Sequence, residues 1–336
     1  MTGDDEAGIA DFEGRVAIVT GAGGGVGGAI AIELARRGCA VVVNDLGVNV
    51  AGTGAGDTDA EATVRRIRAA GGTAIADRSS VTDAAAVQAL ARRAVSELGS
   101  VDVLVNTAGI VFGGGLQQAT QPEWDRLLDV HVGGHLNCMQ AVLPYMSEHR
   151  YGRIVNVTSG AGLQRVAVET SVYGTAKRAI AALTWTLGHR SPPGVTINAL
   201  SPIALTRMVT GAASAARAGA TPSTNGTDEA APSNALDFAH MPRPEALAPV
   251  AAFMCSERCG WLNGQIVFTN GSEASVVAGP RLIEAVHIDP SSAGGGVDLA
   301  DAVRKALIPA ARAGMTTGGS MPRIARSDTS GGREER

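Results

Sequence analysis

Aromatic residues are scarce in this chain of 336 residues: Phe, Trp and Tyr together make up 3% of it. That is too few for the row of stacking platforms on which single-stranded nucleic acid lies, and a formal charge of -4 offers no overall attraction to a phosphate backbone. No apolar run approaches the ~18 residues of a membrane-spanning helix. The opening residues, MTGDDEAGIADFEGR, are acidic where a signal peptide is basic. The four cysteines, Cys39, Cys138, Cys255 and Cys259, lack the density of a disulfide scaffold. Cys255 and Cys259 have no histidine at ligand spacing, and His131 and His135 have no acidic residue between them, so neither pair makes a zinc motif. These absences point away from nucleic acid, membrane and metal, and toward reduced thiols in a cytoplasmic protein.

What is present is rhythm. Short, mostly β-branched runs lie at 15–20, 40–45, 73–76, 101–106, 153–159, 195–200 and 264–270. Helix-length stretches separate them at 27–37, 57–70, 83–98, 122–146, 172–189 and 244–256. Strands alternating with helices predict an α/β protein, a three-layer doubly wound Rossmann fold with a seven-stranded parallel sheet. We expect one domain over 12–275. Within it, an Ala, Thr, Ser, Gly and Pro-rich insertion at about 205–242 reads as a mobile segment. Residues 276–315 form an extension with one helix, and 316–336 a disordered tail rich in Gly, Ser and Arg.

The first strand runs into TGAGGGVGG, Thr20 to Gly28, and then into a helical pattern. Glycines at 21, 25 and 27, with Val26 between the last two, allow a tight turn that brings backbone N–H groups and a helix N-terminus up to a pyrophosphate. The second strand ends in Asn44-Asp45. A carboxylate there accepts hydrogen bonds from adenosine ribose hydroxyls and repels the extra phosphate of NADP, so the expected cofactor is NAD. Ser79, Ser80 and Val81 follow the third strand, where an adenine could rest or an ordinary strand-to-helix loop could run.

The chain has two lysines and three tyrosines, yet VYGTAK places Lys177 four residues after Tyr173 inside a helical pattern. That spacing stacks both side chains on one helix face. A tyrosine anchoring its helix beside a snorkelling lysine is the plain reading. The chemical reading is that an ammonium lowers the phenol's pKa so that Tyr173 can exchange a proton with a hydroxyl during hydride transfer. Ser159, after the fifth strand, could then hold the substrate oxygen.

Taken together, TGxxxGxG at Thr20 to Gly27, Asn-Thr-Ala-Gly at 106–109, Ser159, and Tyr173 with Lys177 resemble the short-chain dehydrogenase/reductase family, over about 14–271. The resemblance implies Tyr173 as acid/base, Lys177 as the group that lowers its pKa and binds the nicotinamide ribose, and Ser159 as the residue orienting the substrate oxygen. It also implies contacts to the cofactor from Asn106, Ala108, Gly109, Pro202, Ile203 and Thr206. The sequence departs from the family where DVHVGG puts His131 in place of an asparagine that holds a relay water. A histidine can hold a water too, or serve only as structure. The stretch from Ser159 to Tyr173 is one residue longer than usual, which leaves Thr158 and Ser171 as weaker alternatives to Ser159. Thr107 replaces a second asparagine, and Ile203 replaces a glycine.

Within the family, TGAGGG, AVVVNDLG, the His131-Val132 pair, YGRIVNVTS and SPIALTRM resemble the (3R)-hydroxyacyl-CoA dehydrogenase domain of peroxisomal multifunctional enzymes. That implies a secondary alcohol on an acyl-CoA or a steroid-like molecule, with the insertion at 205–242 as substrate lid. Phe112, Leu163 and Met208 are pocket candidates or ordinary packing. The chain ends Glu334-Glu335-Arg336 rather than in a peroxisomal tripeptide, and 65 residues past Gly271 leave no room for a further hydratase domain, so a freestanding, non-peroxisomal relative is expected. The family also suggests a homotetramer built on the helices at 122–146 and 172–189, whose apolar faces could equally cover the sheet. The competing class is a non-catalytic dinucleotide-binding redox sensor.

Overall fold

A computed structural model describes residues 11–54, 59–112, 117–163, 171–206 and 241–279, all within the compact unit Met1–Gly279. The first half runs β1 (Val16–Thr20), α1 (Gly25–Arg36), β2 (Ala40–Asn44), α2 (Ala60–Ala69), β3 (Ala74–Asp77), α3 (Ala84–Leu98) and β4 (Val103–Asn106). The second runs α4 (Gln121–Leu128), α5 (Gly134–His149), β5 (Gly152–Val157), α6 (Gly160–Leu163), α7 (Ser171–Gly188), β6 (Val195–Pro202), α8 (Ala248–Cys255), β7 (Ile266–Thr269) and β8 (Ala274–Val277). The strands form one sheet in the order β3-β2-β1-β4-β5-β6-β7-β8.

Alternation along the strands divides the core. On β1, Ala17 and Val19 face α1, α2 and α8, meeting Leu34, Ile67 and Met254. Val16 and Ile18 face the other way and pack with Leu90 of α3 and Val142 of α5. Both faces are covered, which explains central strands such as β4 and β5 that are buried at every position. The α/β doubly wound expectation stands, with one correction: the sheet has eight strands, not seven, because β8 pairs antiparallel with β7. A tight turn makes it, with Asn270 Oδ1 accepting from the amide of Glu273 at 2.8 Å and Gly271 at φ +92°. Ala274, Ser275 and Val276 are exposed, so no apolar pattern marked the strand.

The expected helix at 122–146 is also corrected. A capping box between Thr120 and Glu123 starts α4. The chain then widens into a π-helical turn at Asp129–Gly133 before α5 begins. Such turns reorient side chains at functional sites, and this one carries His131 into the interior, where it is fully buried. The start of α5 needs glycine: a Cβ on Gly134 would lie 2.6 Å from Val81 Cγ2. The helix expected at 244–256 divides similarly, into a 3-10 turn at Pro244–Ala246 and α8.

Candidate active site

Two connections meet at the carboxyl end of β1. The Thr20 hydroxyl accepts the amides of Thr107 and Ala108 at 3.1 and 3.2 Å, tying the glycine loop to the turn after β4. Gly21 has φ +63°, and a Cβ on it would lie 2.8 Å from Ala108 Cα. A Cβ on Gly27 would run into the Gly21 carbonyl, so α1 can start this close to β1 only without side chains. Gly25, at φ +57°, has open space where its Cβ would be. The result is a cradle beside the start of α1 that any larger residue at Gly25 would begin to fill. This geometry fits a pyrophosphate.

Asp45 closes the cradle on the β2 side. Its carboxylate accepts the amide of Gly23 at 2.9 Å and of Gly47 at 2.8 Å, and the residue is buried. Ser79, Ser80 and Val81 lie at the carboxyl end of β3: the Ser79 amide donates to Asp77, the Ser80 hydroxyl shares a hydrogen bond with Thr82, and the Val81 carbonyl accepts Asn137 Nδ2. Asn106 turns inward, donating from Nδ2 to Asn156 Oδ1 at 3.0 Å. Asn156 in turn donates to the Thr184 hydroxyl, which donates to the Ile180 carbonyl. This polar ladder fixes α7 to β4 and β5 under the crevice, and breaking it would leave buried amides unpaired at about 1–3 kcal/mol each. Sequence reasoning passed over Asn156 and Thr184, although an asparagine inside the apolar run of β5 was the available signal.

The expected reactive groups converge. Tyr173 is hydrogen-bonded to Ser159, so the longer connecting segment does not separate them. Thr158 is excluded as the substrate-facing hydroxyl because it is buried and donates to the Lys177 carbonyl at 2.7 Å. Lys177 is buried, its Nζ donates to the Val157 carbonyl at 2.9 Å and lies 5.8 Å from the Tyr173 ring centroid. A Cβ on Gly162 would strike the backbone of Lys177 and Arg178, so glycine there lets α6 seat against α7. His131 stands edge-on to Tyr173, with ring centroids 5.7 Å apart and planes at 80°. Its Nε2 meets the backbone of Ile110, at 2.8 Å from the carbonyl and 3.2 Å from the amide nitrogen, and a Cβ on Gly109 would lie 2.6 Å from His131 Cε1.

Burial dominates the electrostatics of the pair. It pushes the Tyr173 phenol up to about 12, opposed in part by its hydrogen bond to Ser159. The same desolvation brings Lys177 down to about 7. Withdrawal from water is the first cause of both shifts. His131 is held well below the ordinary imidazole range by burial first and by Lys177 second. One turn on, buried His135 is brought down to about 3 by the same causes. Sequence reasoning treated His135 only as a zinc candidate.

Pro202, Ile203 and Thr206 follow at the carboxyl end of β6, with the Ile203 amide donating to the Thr269 carbonyl and the Leu205 amide to the Pro242 carbonyl. Met208, most of the expected lid, and the expected extension and tail from residue 280 onward lie outside the described residues, as does the Ser171 side chain. Among the described residues, no helix is long and apolar enough to cross a membrane, no group of three metal-ligating side chains forms, and all four cysteines are free and buried.

The geometry agrees with comparison to known proteins. Residues 15–217 match the family model for short chain dehydrogenases. Over 251 residues, covering 74% of this chain, the sequence is 37% identical to the peroxisomal multifunctional enzyme type 2 of Drosophila melanogaster, though it spans only 38% of that protein's length. A crystal structure of a short chain dehydrogenase from Mycobacterium avium superposes with a TM-score of 0.67 at 34% identity, covering 93% of this chain and 97% of that one. A 7α-hydroxysteroid dehydrogenase complexed with NADH and 7-oxo glycochenodeoxycholic acid gives a TM-score of 0.61 at 27% identity, over 81% and 97%. With its glycine cradle, its Ser159, Tyr173 and Lys177, and this match over more than half its length, the chain belongs to the short-chain dehydrogenase family and is an oxidoreductase acting on CH–OH groups.

Proposed function

We propose that the protein interconverts a secondary alcohol and a ketone with NAD(H), its substrate being a 3-hydroxyacyl-CoA or a hydroxysteroid. The observation that carries the reading is the convergence of Ser159, Tyr173, Lys177 and His131 beside the glycine cradle. Gly21, Gly25, Val26 and Gly27 would hold the pyrophosphate and Asp45 the adenosine ribose. Ser79, Ser80, Val81, Asn106, Ala108, Gly109, Pro202, Ile203 and Thr206 would line the rest of the groove. When bound, the nicotinamide supplies the carbon that accepts or gives the hydride.

The protein's own work is with the proton. In reduction, the Tyr173 phenol gives its proton to the developing alkoxide while the Ser159 hydroxyl holds that oxygen. A phenol held near 12 is fully protonated at neutral pH and ready for this direction. In oxidation, Tyr173 must act as phenolate, and Lys177 is the cation placed to favour that form. His131, its ring edge against Tyr173 and its Nε2 fixed by Ile110, would take the place of the family's asparagine and hold the relay water through which that proton is exchanged with solvent.

The substrate class rests on relatives. The resemblance to the (3R)-hydroxyacyl-CoA dehydrogenase domain of multifunctional enzymes, one of which is a relative at 37% identity, supports the acyl-CoA, and a structural neighbour's complex with 7-oxo glycochenodeoxycholic acid supports the steroid. Buried free thiols support a cytoplasmic setting, and the family supports a homotetramer, which light scattering would test. The deciding experiment is NADH formation by purified protein against (3R)- and (3S)-hydroxyacyl-CoAs and hydroxysteroids, with NADP compared. Turnover with NAD establishes the reading, whereas tight NADH binding without turnover of any of them favours a dinucleotide sensor.

A further inference from the structure

Crossovers from strand to helix usually take about two to six residues, yet the chain leaves β2 at Asp45 and enters α2 only at Ala60. Its departure is fixed by the Gly47 amide, which donates to Asp45 Oδ1 at 2.8 Å. Further on, the Val50 carbonyl accepts the amide of Val111 at 2.8 Å. Gly52, at φ +76°, lies so close to Ile110 that a Cβ would be 2.9 Å from Ile110 Cγ2. Ile110 and Val111 follow β4, and β1 stands between β2 and β4 in the sheet. The segment must therefore pass the carboxyl end of β1, where the glycine loop begins. It has returned by Asp59, whose amide nitrogen would lie 2.9 Å from a Cβ on Gly23.

The middle of the segment holds its own shape. Asn49 Oδ1 accepts the amides of Ala51 and Thr53, each at 3.0 Å, and the Gly52 amide donates to the Asn49 carbonyl at 2.9 Å. Its seat is firm as well, because the Ile110 backbone also holds the buried His131. A preformed tip docked on a fixed wall is suited to close over a ligand and to lift away as a unit.

We propose that residues 46–54 form a strap across the dinucleotide groove, latched by Gly52 against Ile110, and that this strap sets how long the dinucleotide stays bound. The inference rests on the NAD(H) reading given above. The test uses the full chain with Gly52→Val, which adds a side chain where neither φ nor space allows one, and Asn49→Ala, which loosens the tip more gently. NADH release is followed by stopped-flow fluorescence, and exchange of the Val111 amide by deuterium labelling. Losing one backbone hydrogen bond and its apolar seat should speed release roughly tenfold in Gly52→Val, with a smaller change in Asn49→Ala. Val111 exchange should quicken in the same order, and the KM for NADH should rise. If Gly52→Val does not fold, Asn49→Ala alone decides. Wild-type protein that binds no NADH overturns the cofactor reading and the strap with it. Wild-type protein that binds NADH, with both variants releasing it at the wild-type rate, overturns the strap alone.

Discussion

Asp45 and Gly23 are joined by a hydrogen bond of 2.9 Å from the glycine-loop amide to the carboxylate, and a Cβ on Gly23 would lie 2.8 Å from the Asp45 carboxyl carbon. The negative charge thus stands at the edge of the cradle, where the extra phosphate of NADP would meet it. Like charges brought together in this way cost several kcal/mol. Asp45→Asn keeps the shape and removes the charge, so kcat/KM for NADP relative to NAD should rise by about tenfold or more. Steady-state rates with both cofactors check this; an unchanged ratio would take Asp45 out of cofactor choice.

Tyr173→Phe keeps the ring that packs against His131 and loses only the hydroxyl. Turnover should fall by about a hundredfold to ten-thousandfold, the usual worth of general acid–base catalysis, with NADH binding retained. In the wild type, a phenol near 12 makes reduction nearly independent of pH around neutrality and oxidation faster as pH rises. Rates in both directions between pH 6 and 10 test the sign.

The fold was legible where the pattern is strong. Every expected strand formed because continuous β-branched runs such as Val41 to Val43 have to be buried on both faces of a sheet. β8 was not legible, since its exposed residues bear no burial pattern and a turn at Asn270 to Glu273 places it. Of the site, glycine spacing and the Tyr173–Lys177 interval were visible because they are local. The burial that raises one of that pair and lowers the other was not, because it comes from β5, α6 and the π-helical turn closing around them.

Lys177 has consequences for stability. Its folded pKa, about 7, lies below the ordinary 10.5, so between those values the unfolded chain binds more protons than the folded one. Stability should therefore rise with pH across that window, and the buried lysine costs a few kcal/mol at neutral pH and below. Lys177→Met should raise the melting temperature by several degrees at pH 7, an advantage that shrinks toward pH 10 while activity is lost. A constant difference across that range would refute the linkage.

His135 acts in the acid range. With its folded pKa near 3 and the ordinary value at 6.5, the unfolded chain takes up the extra proton as pH falls between them. This one group should remove about 1.4 kcal/mol of stability per pH unit through the middle of that window. Urea unfolding at pH 7 and pH 5 should show a smaller loss in His135→Gln than in wild type.

Gly109 and His131 test the relay most directly. A methyl group on Gly109 would overlap His131 Cε1, and the ring cannot slide away freely, being held by Ile110 on one side and faced by Tyr173 on the other. Overpacking of this kind costs about 1–3 kcal/mol and moves side chains off their rotamers. Gly109→Ala should therefore lower kcat by roughly tenfold or more, as far as the ring is displaced from Tyr173. His131→Asn restores the residue the family usually carries and is small enough to accept the added methyl. If His131 serves the proton, the double variant should recover kcat relative to Gly109→Ala and show an altered pH dependence. If His131 is only packing, the double variant should regain melting temperature and leave the pH profile where Gly109→Ala has it.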